Sequence, residues 1–166
     1  MKNNQYLTWW ECGDDKTQLW SNPPVAKRKL DSKIPNFKKP KKLTKKVQSS
    51  KEDKVKVPSK RFSLVLSTQP NWHIYAAPSK LVGQMTAKIT TGNQGWRQEF
   101  FYDPRTKSIR VVTMPRLALS NTPNFGLDTG KQIEFRLFKG EVDQVVRSSH
   151  RHVVNTKKDC LTASNN

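Results

Sequence analysis

The sequence predicts an all-β protein interrupted by a basic segment that has no regular structure of its own. Three observations carry this. After Arg61, short apolar runs recur every eight to twelve residues or so, with turn residues between them. No run is long and amphipathic enough to make a helix. Between Lys27 and Lys60, lysine dominates and neither a two-residue nor a 3.6-residue apolar period survives.

Residues 6–20, YLTWWECGDDKTQLW, read as two short strands around a polar turn, with the aromatics supplying strand propensity and Gly13-Asp14-Asp15 the turn. Asn22-Pro23-Pro24 then stops regular structure. In the following stretch, apolar residues come singly and prolines recur at Pro35, Pro40 and Pro58. It buries too little apolar surface to offset its ordering entropy, so it is expected to be disordered. RFSLVLS then places Phe62, Leu64 and Leu66 on one face of a half-buried strand. WHIYA, KLVGQM, AKITT, EFFYD, SIRVV, RLALS, IEFRLF, EVDQVV, HVVN and DCLTA follow as further strands. Turns are expected at Gly92-Asn93, Asp103-Pro104, residues 121–124, residues 128–130, Lys139-Gly140 and Asn155. Many short strands at this spacing indicate a barrel or a sandwich. The expected division is 1–22 and 62–166 as two parts of one β-domain, with 23–61 as the lysine-rich insert.

The formal net charge is +18, and it is unevenly spread. Residues 27–61 hold 15 Lys/Arg against 3 Asp/Glu. Such a segment favours polyanions, because neutralising phosphates releases their counterions. After Met1 there is no apolar stretch of the length a secretory leader needs, and no run approaches a membrane helix. The expected location is therefore nuclear or cytoplasmic, without membrane association.

Three segments share a pattern of a glutamine near an aromatic, a tight turn, a β-branched residue and a short strand. They begin at Thr17, at Gln98 and at Gln132. Gln18-Leu19-Trp20 is one copy, and Gln98-Glu99-Phe100, followed by Tyr102-Asp103 and Ile109-Arg110, is a second. In the third, Phe135 takes the aromatic place and Ile133 the glutamine place. This resembles the β-trefoil of the ricin B-chain lectin type, which repeats Gln-x-Trp once per lobe. The resemblance covers residues 6–20 and 62–166, and it implies three pseudo-repeats and a non-catalytic, carbohydrate-binding module. An unrelated β-sandwich is the competing architecture.

In that family each lobe reads Cys-Leu, a loop, aromatic-x-Cys, then Gln-x-Trp. Here Cys160-Leu161-Thr162 stands near the C-terminus, and Trp10-Glu11-Cys12 with Gln18-Leu19-Trp20 near the N-terminus. Tail joined to head reads as one lobe, which implies either a circularly permuted trefoil or a swapped homo-oligomer whose ends complete a neighbour's lobe. Either way the resemblance makes Cys12 and Cys160 candidate disulfide partners, with the thiols free in a reducing compartment.

Carried over residue by residue, the sugar pocket comprises Trp10 as stacking aromatic and Gln18 as polar contact. Thr17 stands in the asparagine place and Thr162 in the aspartate place, with Asn165 nearby. Ser120 and Gly83 take the aspartate place in the other lobes. No lobe therefore keeps the charged acceptor, and a hydroxyl replaces it only weakly. The pocket is expected to be degenerate.

The basic segment supports a second reading. Lys27, Arg28 and Lys29, followed by Lys38, Lys39, Lys41 and Lys42, resemble a bipartite signal read by an import receptor. The same lysines suit nucleic acid or another polyanion. Trp72, Trp96, Phe100, Phe101 and Tyr102 are candidates for base stacking, against the commoner fate of such aromatics as core. His150-Arg151-His152 offers two imidazoles, too few for a zinc site. Neither cysteine has a catalytic histidine signature and no glycine-rich phosphate loop is present. No enzyme activity, metal or cofactor is expected. The two function classes left are recognition of a glycan or protein surface, and nuclear polyanion binding.

Overall fold

The structure, a computed structural model, describes residues 5–25, 55–79, 83–120, 133–149 and 151–165. The described residues form an all-β protein of twelve strands and three short 3₁₀ turns. The strands are β1 (Gln5–Glu11), β2 (Trp20–Ser21), β3 (Val65–Leu66), β4 (Gln69–Pro78), β5 (Met85–Thr90) and β6 (Phe100–Asp103), then β7 (Ser108–Val111), β8 (Leu117–Ser120), β9 (Glu134–Leu137), β10 (Val146–Ser149), β11 (His152–Asn155) and β12 (Asp159–Asn165). Short polar side chains shape the turns between them. The Asp103 carboxylate accepts from the Arg105 amide at 3.0 Å, and the Asn155 carbonyl accepts from the amides of Lys157 and Asp159, both at 2.9 Å. These Asx contacts replace bonds the chain loses where it leaves a strand.

The strands form two sheets. One is four-stranded, in the order β1-β12-β11-β10. The other is eight-stranded and curled, in the order β2-β3-β4-β5-β9-β8-β7-β6. Phe62 and Phe100 exchange backbone bonds of 2.9 and 2.8 Å, which brings the chain just before β3 against the start of β6. The first strand of the chain pairs antiparallel with the last over seven residues, from Gln5↔Asn165 to Glu11↔Asp159.

One hydrogen-bond arrangement recurs three times. The 3₁₀ turns Lys16–Gln18, Gly95–Gln98 and Val142–Gln144 each end on a buried glutamine. Two residues further on, the amides of Trp20, Phe100 and Val146 donate to the carbonyls of Arg151, Phe62 and Lys107, each at 2.8 Å. The strands that follow, β3, β7 and β11, pair with the next strand at Val65↔His73, Arg110↔Ala118 and Val154↔Cys160. The residues one earlier, Leu64, Ile109 and Val153, are all buried and belong to one core, together with Trp20, Phe100, Val146 and Leu161. Phe100 and Phe135 stack there with centroids 5.4 Å apart. Each such side chain contributes about 1.5–3 kcal/mol on leaving water.

Several sequence expectations are corrected. The third glutamine is Gln144, so Ile133 and Phe135 do not hold the Gln-x-aromatic places; both lie just before or within β9, which pairs with β8. Val146, an aliphatic residue, follows Gln144 where the other units have an aromatic. EVDQVV is a 3₁₀ turn leading into β10 rather than one strand. RFSLVLS is not half-buried: Ser63, Leu64, Val65 and Leu66 are all buried, because β3 lies between β2 and β4. Gly83 sits between β4 and β5 with φ +78°, a conformation that suits glycine. By register, Tyr75↔Lys88 matches Thr162↔Thr8 and Ser120↔Glu134, so Tyr75, not Gly83, holds the position equivalent to Thr162 and Ser120.

Both ends of the lysine-rich excursion are tied to the β-domain. The Ser63 amide donates to the Pro23 carbonyl at 3.1 Å, and the Val25 amide to the Arg61 carbonyl at 3.0 Å. Residues 26–54, with Lys27, Arg28, Lys29, Lys38, Lys39, Lys41 and Lys42, lie outside the described residues.

Candidate functional site

The candidate pocket residues gather where head meets tail. β1 alternates its faces, so adjacent tryptophans part company: Trp9 is buried at 7% exposure and Trp10 stands out at 67%. Trp10 is the register partner of Cys160. Cys12, just past the strand, forms a disulfide with Cys160, with Cα atoms 5.0 Å apart. Trp10 therefore rides on a strand pair fixed by both backbone pairing and a covalent link.

Gln18 lies beneath this surface, almost wholly buried. Its Nε2 donates to the Glu11 carbonyl at 2.8 Å and to the Thr162 hydroxyl at 3.1 Å, while its Oε1 accepts from the Gly13 amide at 2.9 Å. The Thr162 hydroxyl donates to the Cys160 carbonyl at 3.0 Å. Every polar function of Gln18 is engaged, and the Thr162 proton is too. The indole nitrogen of Trp20 donates to the Leu161 carbonyl at 2.8 Å, a further tie to the same strand. Thr17 is half-buried, with its amide donating to the Asp15 carboxylate at 2.9 Å, a contact that also holds the Asp15 pKa below its ordinary value. Asn165 pairs through its backbone with Gln5. Of Trp10, Thr17, Gln18 and Thr162, only Trp10 presents a large face to solvent.

Gln144 is a brace of the same kind, and Gln98 repeats one of its bonds. Gln144 donates to the Leu137 carbonyl at 2.9 Å and the Ser120 hydroxyl at 3.2 Å, and it accepts from the Lys139 amide at 2.8 Å. Gln98 donates to the Gly92 carbonyl at 2.7 Å. Gln144 escapes a reading of the sequence because no aromatic follows it. The detectable signal is its seven-residue distance from Leu137, matching that of Gln18 from Glu11.

A buried charge cluster closes the β6–β7 hairpin. Arg110 donates to the hydroxyls of Ser108 and Thr106 and to the Pro115 carbonyl, at 2.9, 3.1 and 3.1 Å. It also lies 3.6 Å from Asp103 and 4.1 Å over the Phe138 ring. Burial lowers the Arg110 pKa and the Asp103 charge opposes that shift. For Asp103, burial pushes the pKa up, but the Arg105 amide, the Thr106 hydroxyl and the charges of Arg110 and Arg105 together hold it below the ordinary value. The donors satisfy the buried charges, so the cluster serves structure.

Of the base-stacking candidates, Phe100 and Phe101 are buried, Trp72 and Trp96 pack partly against the core, and Tyr102 is 37% exposed. Tyr102 borders a cavity of about 360 Å³ whose apolar wall includes Trp20, Leu64, Ile109 and Val153. Arg147 and Arg151 are on its rim, as are Asn22 and Phe62, which lead into and out of the lysine-rich excursion. His152 is half-buried on β11, and His150 lies outside the described residues.

No protein-family model matches the chain, and neither curated proteins nor solved structures give a match.

Proposed function

We propose that this chain is a non-catalytic binding module on a circularly permuted β-trefoil of the ricin B-chain type. The observation that carries it is the recurrence, at Gln18, Gln98 and Gln144, of a buried glutamine that donates to a preceding backbone carbonyl and is followed by a buried residue bonded to a distant segment. The pairing of β1 with β12 and the Cys12–Cys160 link support a lobe assembled from tail and head. In this reading Gln18 and Thr162 brace the lobe instead of binding galactose. Recognition of a glycan or a protein surface falls to the exposed face of Trp10, because an aromatic plane stacks on the apolar face of a sugar without a carboxylate beneath it.

A second reading is nuclear polyanion binding through the lysine-rich segment. It is favoured by the position of that segment's two ends, Asn22 and Phe62, beside Arg147 and Arg151. A glycan array run beside a nucleic-acid titration separates the two. Trp10-dependent glycan binding that tolerates salt supports the first, and steeply salt-sensitive oligonucleotide binding supports the second.

A further inference from the structure

The cavity bordered by Asn22 and Phe62 lies where one of the three units breaks the pattern. Trp20 and Phe100 fill the place two residues after their glutamines, and Val146 fills it in the third unit. A smaller side chain at that place leaves space that an aromatic would occupy. The wall that remains is apolar and built from equivalent positions of all three units: Leu64, Ile109 and Val153. At about 360 Å³ the space falls in the range of small-molecule sites, roughly 300–1,000 Å³.

Its rim is polar and one-signed. Arg147 and Arg151 line it, both exposed, and neither guanidinium pairs with a carboxylate among the described residues. No Asp or Glu contributes to the lining among the described residues. Ser21 and Ser148 add hydroxyls, and the Tyr102 phenol contributes another, donating weakly to the Val146 carbonyl at 3.4 Å. An apolar wall beneath two arginines with no carboxylate partner among the described residues suits a ligand with an apolar body and an anionic head.

We propose that this cavity binds a small amphiphilic anion, its apolar body against Trp20, Leu64, Ile109 and Val153 and its acidic group at Arg147 and Arg151. The site shares no residue with the Trp10 surface and stands independently of the glycan reading.

The test is a fluorescence titration of the full chain with 8-anilinonaphthalene-1-sulfonate, with its uncharged analogue N-phenyl-1-naphthylamine in parallel. The expected result is saturable binding of one sulfonate per chain, weakened about tenfold or more by Val146→Trp and by the double variant Arg147→Glu/Arg151→Glu. The uncharged probe is expected to bind more weakly than the sulfonate. Val146→Trp changes no charge, so sulfonate held by lysines elsewhere would be unaffected by it. Near-ultraviolet circular dichroism establishes that each variant is folded. Should Val146→Trp fail to fold, the double variant decides, since both arginines are exposed. Unsaturable binding by the unmodified chain, or binding that persists in a folded Val146→Trp or in the double variant, overturns the proposal.

Discussion

The Gln18 amide nitrogen donates a 3.1 Å hydrogen bond to the Thr162 hydroxyl, joining residues 144 positions apart. Thr162 lies in β12 opposite Thr8 of β1, so this bond fastens the 3₁₀ turn that follows β1 to the strand that ends the described chain. The residue that the family resemblance assigns to sugar contact is here an internal brace.

Gln18→Ala would leave the Gly13 amide, the Glu11 carbonyl and the Thr162 hydroxyl without their partner. Urea unfolding should show a loss of about 2–4 kcal/mol. Gln144→Ala should cost a similar amount, through Lys139, Leu137 and Ser120. A loss within experimental error for either would show that the glutamines do not hold the units together.

The paired tryptophans should separate stability from recognition. Trp9→Ala removes a buried core side chain and should cost about 3–5 kcal/mol. Trp10→Ala removes an exposed one and should change stability by no more than about 0.5 kcal/mol. Trp10→Ala should nevertheless abolish whatever glycan binding the array detects. Free galactose should bind no more tightly than about 1 mM, because none of Thr162, Tyr75 and Ser120 offers its hydroxyls a carboxylate. Micromolar galactose binding would contradict the loss of the pocket.

The Asp103–Arg110 cluster gives a pH dependence with a definite sign. The folded-state pKa of Asp103 lies below its unfolded value. Its contribution is therefore fully present above the unfolded value of about 3.9 and is lost as pH falls through the lower folded value. Asp103→Asn should lower stability at neutral pH and flatten the acid limb of the stability profile. An acid limb identical to that of the unmodified chain would remove Asp103 as its cause.

For the lysine-rich segment, replacing Lys27, Arg28, Lys29, Lys38, Lys39, Lys41 and Lys42 by glutamine should reduce the salt dependence of oligonucleotide binding. The logarithmic slope should fall by roughly 0.7–0.9 for each phosphate no longer neutralised. A fluorescent-protein fusion of residues 23–61 should accumulate in nuclei, and the glutamine variant should not. An unchanged slope would assign the binding to the β-domain.

The all-β class is legible from the spacing of apolar runs, and Gln18 and the two cysteines from short-range motifs. What escapes is information carried by register. The pattern places a glutamine and an aromatic two residues apart, so Val146 conceals Gln144 and the motif falls instead on Ile133 and Phe135. Gly83 follows an apolar run as the aspartate place does. Only the pairing of β4 with β5 shows that Tyr75 holds the equivalent position. The burial of Thr162 is equally unreadable, since alternation along β12 does not tell which face the 3₁₀ turn covers. The cavity arises from four segments distant in sequence, and no local pattern marks it.

Disulfide mapping tests the tail-to-head lobe most directly. After mild oxidation of the purified full chain, non-reducing electrophoresis and mass spectrometry of tryptic peptides should show a monomer in which Cys12 is linked to Cys160. The closed loop spans nearly the whole sequence, so reduction should lower stability by about 5 kcal/mol in the chain-entropy model. A covalent dimer would mean that the ends complete a neighbour's lobe, and two thiols that stay free under oxidant would contradict the permuted trefoil.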